Sequence, residues 1–251
     1  MFYPIYLDLR ARHCLVVGGG HIATGKVAGL VDAGARVTVV SPDASAAIAQ
    51  WQTEGKLVWH ARTFEPSDLE TAFMIIAATD DRVLNARVYK LASSLQRIAN
   101  AVDDLDNCNF IAPAIAQAGA IQVAVSTSGK SPALAKQLRD RIQDELLTPA
   151  SARLAHLLGG WRPKVKRTLP TYQVRMAFWE GVLASDVPTL VIRGEMKAAH
   201  VSVWQQLMYA ADPAHISGGV DSPPHGWPGT LEAVGASGPP PLAPEDRTKA
   251  A

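Results

Sequence analysis

The sequence predicts an α/β protein, a doubly wound parallel sheet followed by a smaller region of different character. Three observations carry that expectation. Short β-branched runs alternate with helical patterns through the first hundred residues. Phe73-Met74-Ile75-Ile76-Ala77-Ala78 is continuously apolar, as a strand buried on both faces must be. Cys14-Leu15-Val16-Val17 runs straight into Gly18-Gly19-Gly20, the small residues a strand needs to turn abruptly into a helix.

The elements follow in order. Strands are predicted at 13–17, 36–40, 57–60, 73–78 and 97–102, with helices at 22–33, 44–54 and 83–94 and a short turn at 68–71. Gly34 stands just past the first helix, where a C-terminal cap belongs. Phe110-Ile111-Ala112-Pro113 and 120–126 read as strands outside the first sheet. Ser131-Pro132 opens a helix over 133–147, and Thr148-Pro149 opens another by the same device. Further helices are predicted at 172–184 and 197–211. Leu134, Leu138, Ile142 and Leu146 form a narrow stripe that suits a core or a dimer seam. From Pro213 onward the chain holds 8 of its 17 prolines and no apolar periodicity, which predicts a disordered tail. The expected division is 1–113, 114–150, 151–212 and 213–251.

Composition narrows the function. The chain has 251 residues, 48% hydrophobic and 19% charged, enough for a sizeable core. No apolar run approaches the ~20 residues of a membrane-spanning helix, and the N-terminus lacks a signal-peptide pattern. A cytoplasmic protein is expected. Two cysteines, Cys14 and Cys108, make no disulfide framework, and the seven histidines form no ligand cluster, so no resident metal is expected. Net charge is +1 overall, yet ten Lys/Arg against three acids between Lys130 and Arg175 give that stretch +7. Such a face attracts polyanions, or is simply a solvated helical surface.

Gly18-x-Gly20-x-x-Ala23 fits the dinucleotide fingerprint of a Rossmann-like sheet. Gly18 makes the tight turn, Gly20 lets backbone approach a pyrophosphate, and Ala23 lets the helix lie close to the sheet. Ligands of such sheets bind outside the carboxyl ends of the strands. Those ends are Gly18–Ala23, Ser41-Pro42-Asp43, Thr79-Asp80-Asp81 and Asn100–Asp104. Asp43, 23 residues after Gly20, suits an adenosine ribose or the cap of the next helix. No Lys or Arg adjoins it to take a 2′-phosphate, which favours NAD over NADP. Asp103, at a strand end, is the candidate general base or else a turn residue. Ala124–Ser131 misses the G-x-x-x-x-G-K-[ST] phosphate loop by its first glycine, and Pro132 follows at once. A polar loop over an active site, with Ser126, Thr127, Ser128 and Lys130 facing substrate, fits it better.

Taken together these segments resemble one family, the precorrin-2 dehydrogenases and sirohydrochlorin ferrochelatases, including the N-terminal half of trifunctional sirohaem synthase. The resemblance runs from about Tyr3 to about Leu183. It rests on Tyr3-Pro4-Ile5-Tyr6-Leu7-Asp8-Leu9, Val16-Val17-Gly18-Gly19-Gly20, Ala23-x-x-Lys26, Gly34-Ala35, Ala77-Ala78-Thr79-Asp80-Asp81 and Asn100-x-Val102-Asp103. Phe110-Ile111-x-Pro113, Val125-Ser126-Thr127-Ser128-Gly129-Lys130-Ser131-Pro132 and Phe178-Trp179-Glu180 complete it.

The resemblance implies an NAD-binding domain, a dimerisation region and a small helical domain, assembled as a homodimer. It implies cofactor contacts at His21, Ile22, Pro42 and Asp43, beside those read at Gly18, Gly20, Thr79 and Asp80, and an essential aspartate at Asp103. The implied substrate is precorrin-2, an octacarboxylate tetrapyrrole that suits the basic stretch. Hydride passes to NAD and a proton is lost, giving sirohydrochlorin. Ferrous iron is admitted as a second substrate, with Asp103 accepting pyrrole protons; whether insertion is physiological stays open. A serine phosphorylated in some members corresponds to Thr127, and the arginine run before Phe178-Trp179 is reduced to Arg175. Two other classes stand beside this reading, an NAD-sensing module without catalysis and a phosphotransferase using the 124–131 loop.

Overall fold

The computed structural model describes residues 2–212; the tail expected from Pro213 lies outside the described residues. Two compact units are present. Among the described residues, one holds 2–113 and Ser126–Ala135; the other holds Ala114–Val125 and 136–212.

The first unit is built on five parallel strands, β1 (His13–Val17), β2 (Arg36–Val40), β3 (Leu57–His60), β4 (Met74–Ala77) and β5 (Ile98–Ala101), in the order β3-β2-β1-β4-β5. Cys14–Val17 and Met74–Ala77 are buried throughout, because helices cover both faces. Burial also pushes the Cys14 thiol up to about 11, in keeping with a small apolar residue of the core. Helices α1 (His21–Asp32) and α2 (Ala46–Thr53) pack with Val16, Val37 and Val39 on one face. Helix α3 (Arg82–Ser94) packs Val88 and Ala92 with Leu15, Val17 and Ile75 on the other.

Register sets the height of the site. Val17 pairs with both Val40 and Ala77, Val40 with His60, and Ala77 with Ala101. The five strands therefore end at one level. Gly19, Pro42, Arg62, Thr79 and Asp103 each lie two residues beyond it.

Two of the three glycines after β1 are demanded by the protein itself. Gly18 has φ +117°, and a Cβ there would strike the Ala78 carbonyl. A Cβ on Gly19 would strike the Asp43 carbonyl. Gly18→Ala or Gly19→Ala is therefore expected to cost at least about 2 kcal/mol, read as a lowered denaturant midpoint.

In the second unit β6 (Ala114–Ala118) and β7 (Ile121–Val125) form an antiparallel hairpin. Helices α5 (Pro149–Thr168), α6 (Tyr172–Ala184), α7 (Val187–Ile192) and α8 (Met196–Ala211) enclose Leu157, Trp161, Phe178, Val182, Val203 and Leu207. Helix α4 (Pro132–Arg141) spans the sequence boundary between the units.

Two expectations are corrected, one helix is new, and one alternative is narrowed. Phe110–Pro113 is not a strand: Asn100 donates through Nδ2 to the Phe110 carbonyl at 2.9 Å and tethers this segment by a side chain, and the strand begins at Ala114. The helix expected through Leu147 ends as α-helix at Arg141 and continues as a π-turn over Ile142–Leu146. Helix α7 was not expected at all. The leucine stripe does not enter a core of this chain, since Leu134, Leu138 and Leu146 are 47%, 39% and 64% exposed.

Candidate dinucleotide and substrate site

A cavity of about 540 Å³ opens at the carboxyl ends of β2, β1 and β4, at the switch point of the sheet. Gly18–Gly20, Ser41–Ser45, Thr79–Asp81, Phe64 and Leu84 are among its walls. Helix α1 points its N-terminus here. Its capping residue is Gly20, with no side-chain cap and no acid in the first turn, so the leading N–H groups are open to an anion. Gly20 differs from its neighbours. Its backbone is ordinary extended chain, φ −75°, and a Cβ would meet nothing within 4 Å. Among the described residues, nothing requires glycine at this position.

The turn is braced from β2. Ser45 N–H donates to the Gly19 carbonyl at 2.9 Å, and the Ser45 and Thr24 hydroxyls meet at 2.7 Å. Ser45 is also the N-cap of α2. That resolves the alternative at Asp43: it does not cap the helix, and its exposed carboxylate lines the cavity without a partner among the described residues. Pro42 lines the cavity beside it. His21 and Ile22 are exposed on the first turn of α1.

At the tip of β4, Thr79 is held rather than free. Its hydroxyl donates to Asn85 Oδ1 at 2.7 Å, and Asn85 Nδ2 donates to the Thr79 carbonyl at 2.8 Å. Asn85 is 4% exposed, an interior polar group fully committed to shaping this loop. Asp81 caps α3 through Val83 N–H and Leu84 N–H, and Asp80 is exposed.

Asp103 and Asp104 have different work. Asp104 accepts from the N–H groups of Asp106 and Asn107 and from Asn107 Nδ2 at 2.7 Å, closing a turn of 3₁₀-helix. Asp103 is exposed, with no partner among the described residues, and is held at φ +59° in the left-handed region. Asp103 therefore presents an exposed carboxylate two residues beyond β5, at the level of Gly19 and Thr79, in a left-handed conformation that Asp adopts more readily than most residues.

The 126–131 loop reaches the same turn. A Cβ on Gly129, whose φ is +80°, would meet Leu105 Cδ1 at 2.5 Å. The loop is closed on itself. Thr127 Oγ1 donates to the Ser131 carbonyl and accepts from Ser131 N–H, Lys130 N–H donates to the Thr127 carbonyl, and Ser128 N–H to Ser126 Oγ. Those N–H groups are the ones a phosphate cradle would offer, so the phosphotransferase alternative loses its basis. Ser126, Ser128 and Lys130 are exposed, whereas the Thr127 hydroxyl is occupied.

Much of the +7 stretch is already engaged. Lys136 and Arg139 pair with Asp140, and Arg141 with Glu145. Arg153 donates to the Val191 carbonyl and Arg175 to those of Leu169 and Pro170. No group of three or more metal-ligating side chains occurs among the described residues.

A parallel sheet with a glycine turn, an uncapped helix N-terminus and a free acid beyond the next strand defines a dinucleotide-binding α/β protein. Comparison with known proteins specifies which. Residues 5–114 match the putative NAD(P)-binding model, 119–145 the sirohaem biosynthesis protein central model, and 150–207 the sirohaem synthase dimerisation region. Over most of its described length the chain is similar to part of sirohaem synthase. It is 39% identical over 206 residues to a siroheme synthase of Neisseria meningitidis serogroup C, and 38% over 212 residues to siroheme synthase 1 of Pectobacterium atrosepticum. Those alignments cover 82% and 84% of this chain but 43% and 44% of the relatives, so the chain spans less than half their length. Among solved structures it is similar to SirC, a precorrin-2 dehydrogenase, at 26% identity and a TM-score of 0.68, over 83% of this chain and all of that one.

The sequence missed Ser45, Thr24, Asn85 and Phe64. Ser45 and Thr24 carried a weak signal as small hydroxyl residues at helix starts. Asn85 and Phe64 act through tertiary neighbours that no local pattern announces.

Proposed function

We propose that this protein is an NAD-dependent precorrin-2 dehydrogenase, producing sirohydrochlorin for sirohaem synthesis. The observation that carries the proposal is Gly20: a glycine with open space at its missing Cβ, heading an uncapped helix at the wall of the cavity. Bound NAD would supply the hydride acceptor. Gly18–Gly20 and the α1 N-terminus would hold its pyrophosphate, and Asp43 the adenosine ribose, with His21, Ile22, Pro42, Thr79 and Asp80 around them. Oxidation of the tetrapyrrole releases one hydride to NAD and one proton, and the Asp103 carboxylate takes that proton. Ser126, Ser128 and Lys130 meet the carboxylated periphery of the substrate, while Thr127 holds their loop in shape. Ferrous iron is a second substrate in this reading, with Asp103 again the proton acceptor. The place of action is the cytoplasm; no described helix is long and apolar enough to cross a membrane.

Calorimetric titration with NAD and NADP tests the cofactor assignment. The cavity walls include Asp43, Asp80 and Asp81 and neither Lys nor Arg. NAD is expected to bind at least about tenfold more tightly, because a 2′-phosphate would face a carboxylate. Equal affinities would remove Asp43 from the ribose site.

The family region matched at 150–207 and the exposed Leu134/Leu138/Leu146 stripe support a homodimer. Light scattering at micromolar concentration is expected to give twice the chain mass; a monomer would contradict it.

A further inference from the structure

The loop between β3 and β4 plays no part so far, yet it forms one wall of the cavity. Phe64, four residues past the end of β3, is half-buried. It packs against the core formed by Leu15, Val17, Val40 and Leu69, and it also lines the cavity. A half-buried aromatic residue that packs on the core and also lines the cavity can offer part of its apolar surface to a ligand there.

The ring is placed firmly. Arg62 and Asp68 span the loop in a two-pronged ion pair, with contacts of 2.9 and 2.5 Å. Arg62 Nη1 also donates to the Thr63 carbonyl, and Asp68 accepts from Glu65 N–H at 2.9 Å. The Asp68 side chain is only 9% exposed. Paired planar ions of this kind fix geometry better than a single contact. Leu84, on the first turn of α3, adds a second apolar wall.

The sheet order fixes which end of a dinucleotide lies here. With β3-β2-β1-β4-β5, the α1 N-terminus is at the centre, Asp103 lies beyond β4 on the β5 side, and Asp43 and the Arg62–Asp68 loop follow β2 and β3 on the other. A ligand with its reacting ring toward Asp103 must extend its far end toward Phe64.

We propose that Phe64 is the adenine platform of this protein, its ring stacking on the base and its position fixed by the Arg62–Asp68 pair. The proposal rests on the dinucleotide reading above and adds to it the residue that selects the adenine half of the ligand. Base–aromatic stacking is lost when the ring is lost, so Phe64→Ala should weaken binding of adenine nucleotides at least about fivefold. Ligands without the base should be unaffected.

The experiment measures dissociation constants of the full chain for NAD, AMP and nicotinamide mononucleotide. Phe64→Leu is measured beside Phe64→Ala, since it keeps the core contact but not the flat face, and Phe64→Trp keeps both face and stacking. Both smaller variants should lose affinity for NAD and AMP at least about fivefold, with nicotinamide mononucleotide unchanged and Phe64→Trp close to wild type. Unchanged NAD affinity in folded Phe64→Leu would overturn the assignment. So would an equal loss for nicotinamide mononucleotide, which would mean the cavity had collapsed. A wild-type protein that binds none of the three would instead overturn the dinucleotide reading, and Phe64 with it.

Discussion

Gly20→Asp is expected to abolish NAD binding while leaving the fold intact. The backbone at Gly20 suits any residue, and its Cβ would project into open space, so the folded chain loses nothing. The new carboxylate would stand at the uncapped N-terminus of α1, where the pyrophosphate must lie. Two like charges brought together there cost several kcal/mol, at least about a hundredfold in dissociation constant. The acid is also well placed to cap the helix, so thermal stability should stay equal or rise. That pairing of lost affinity with kept stability separates Gly20 from Gly18 and Gly19, whose substitution damages the protein first. Calorimetric titration beside a melting curve checks both halves. A stable Gly20→Asp protein with unchanged NAD affinity would remove the pyrophosphate from this turn.

Asp103→Asn is expected to lower single-turnover NADH formation by about 10²–10⁴-fold, the usual contribution of a positioned general base. Asn is the substitution of choice because the residue stands at φ +59°, a conformation Asn tolerates as Asp does. Asp103→Ala adds a backbone cost to the loss of the carboxylate. NAD affinity should stay near normal in both. Asp104→Ala makes the comparison sharp, because its carboxylate is spent on the turn that follows. It should cost about 1 kcal/mol of stability, as the loss of a helix cap does, and far less in rate. Equal, small rate effects at the two positions would return Asp103 to turn-former. If iron insertion belongs to this protein, Asp103→Asn should slow it as well, since the same carboxylate must take the pyrrole protons.

The sheet was legible because its signals are local. Cys14–Val17 and Phe73–Ala78 are apolar without alternation, which only a doubly covered strand tolerates, and Arg36–Val40 is dense in β-branched residues. The glycine turn was legible for the same reason. The division of labour inside it was not, because Gly18 and Gly19 answer to the Ala78 and Asp43 carbonyls across the fold. Phe110–Pro113 misled because its apolar character serves a segment pinned by Asn100 rather than a ladder. Helix α7 was missed because Val187-Pro188-Thr189-Leu190-Val191-Ile192 is rich in β-branched residues and carries a proline at its second position, yet its burial against α8 makes it helical. At the site, Asp43 and Asp103 were named from their positions after strands. That Ser45 takes one cap and Asp104 the other, leaving both of these carboxylates without a cap to make, depends on tertiary geometry that no local pattern announces.

The most direct test is to add precorrin-2 and NAD to the purified full chain and follow NADH and the tetrapyrrole spectrum together. One NADH should form for each precorrin-2 converted to sirohydrochlorin, with no conversion when NAD is left out and almost none in Gly20→Asp. A wild-type protein that binds NAD yet leaves precorrin-2 unoxidised would contradict the dehydrogenase assignment and leave a nicotinamide-binding module without catalysis.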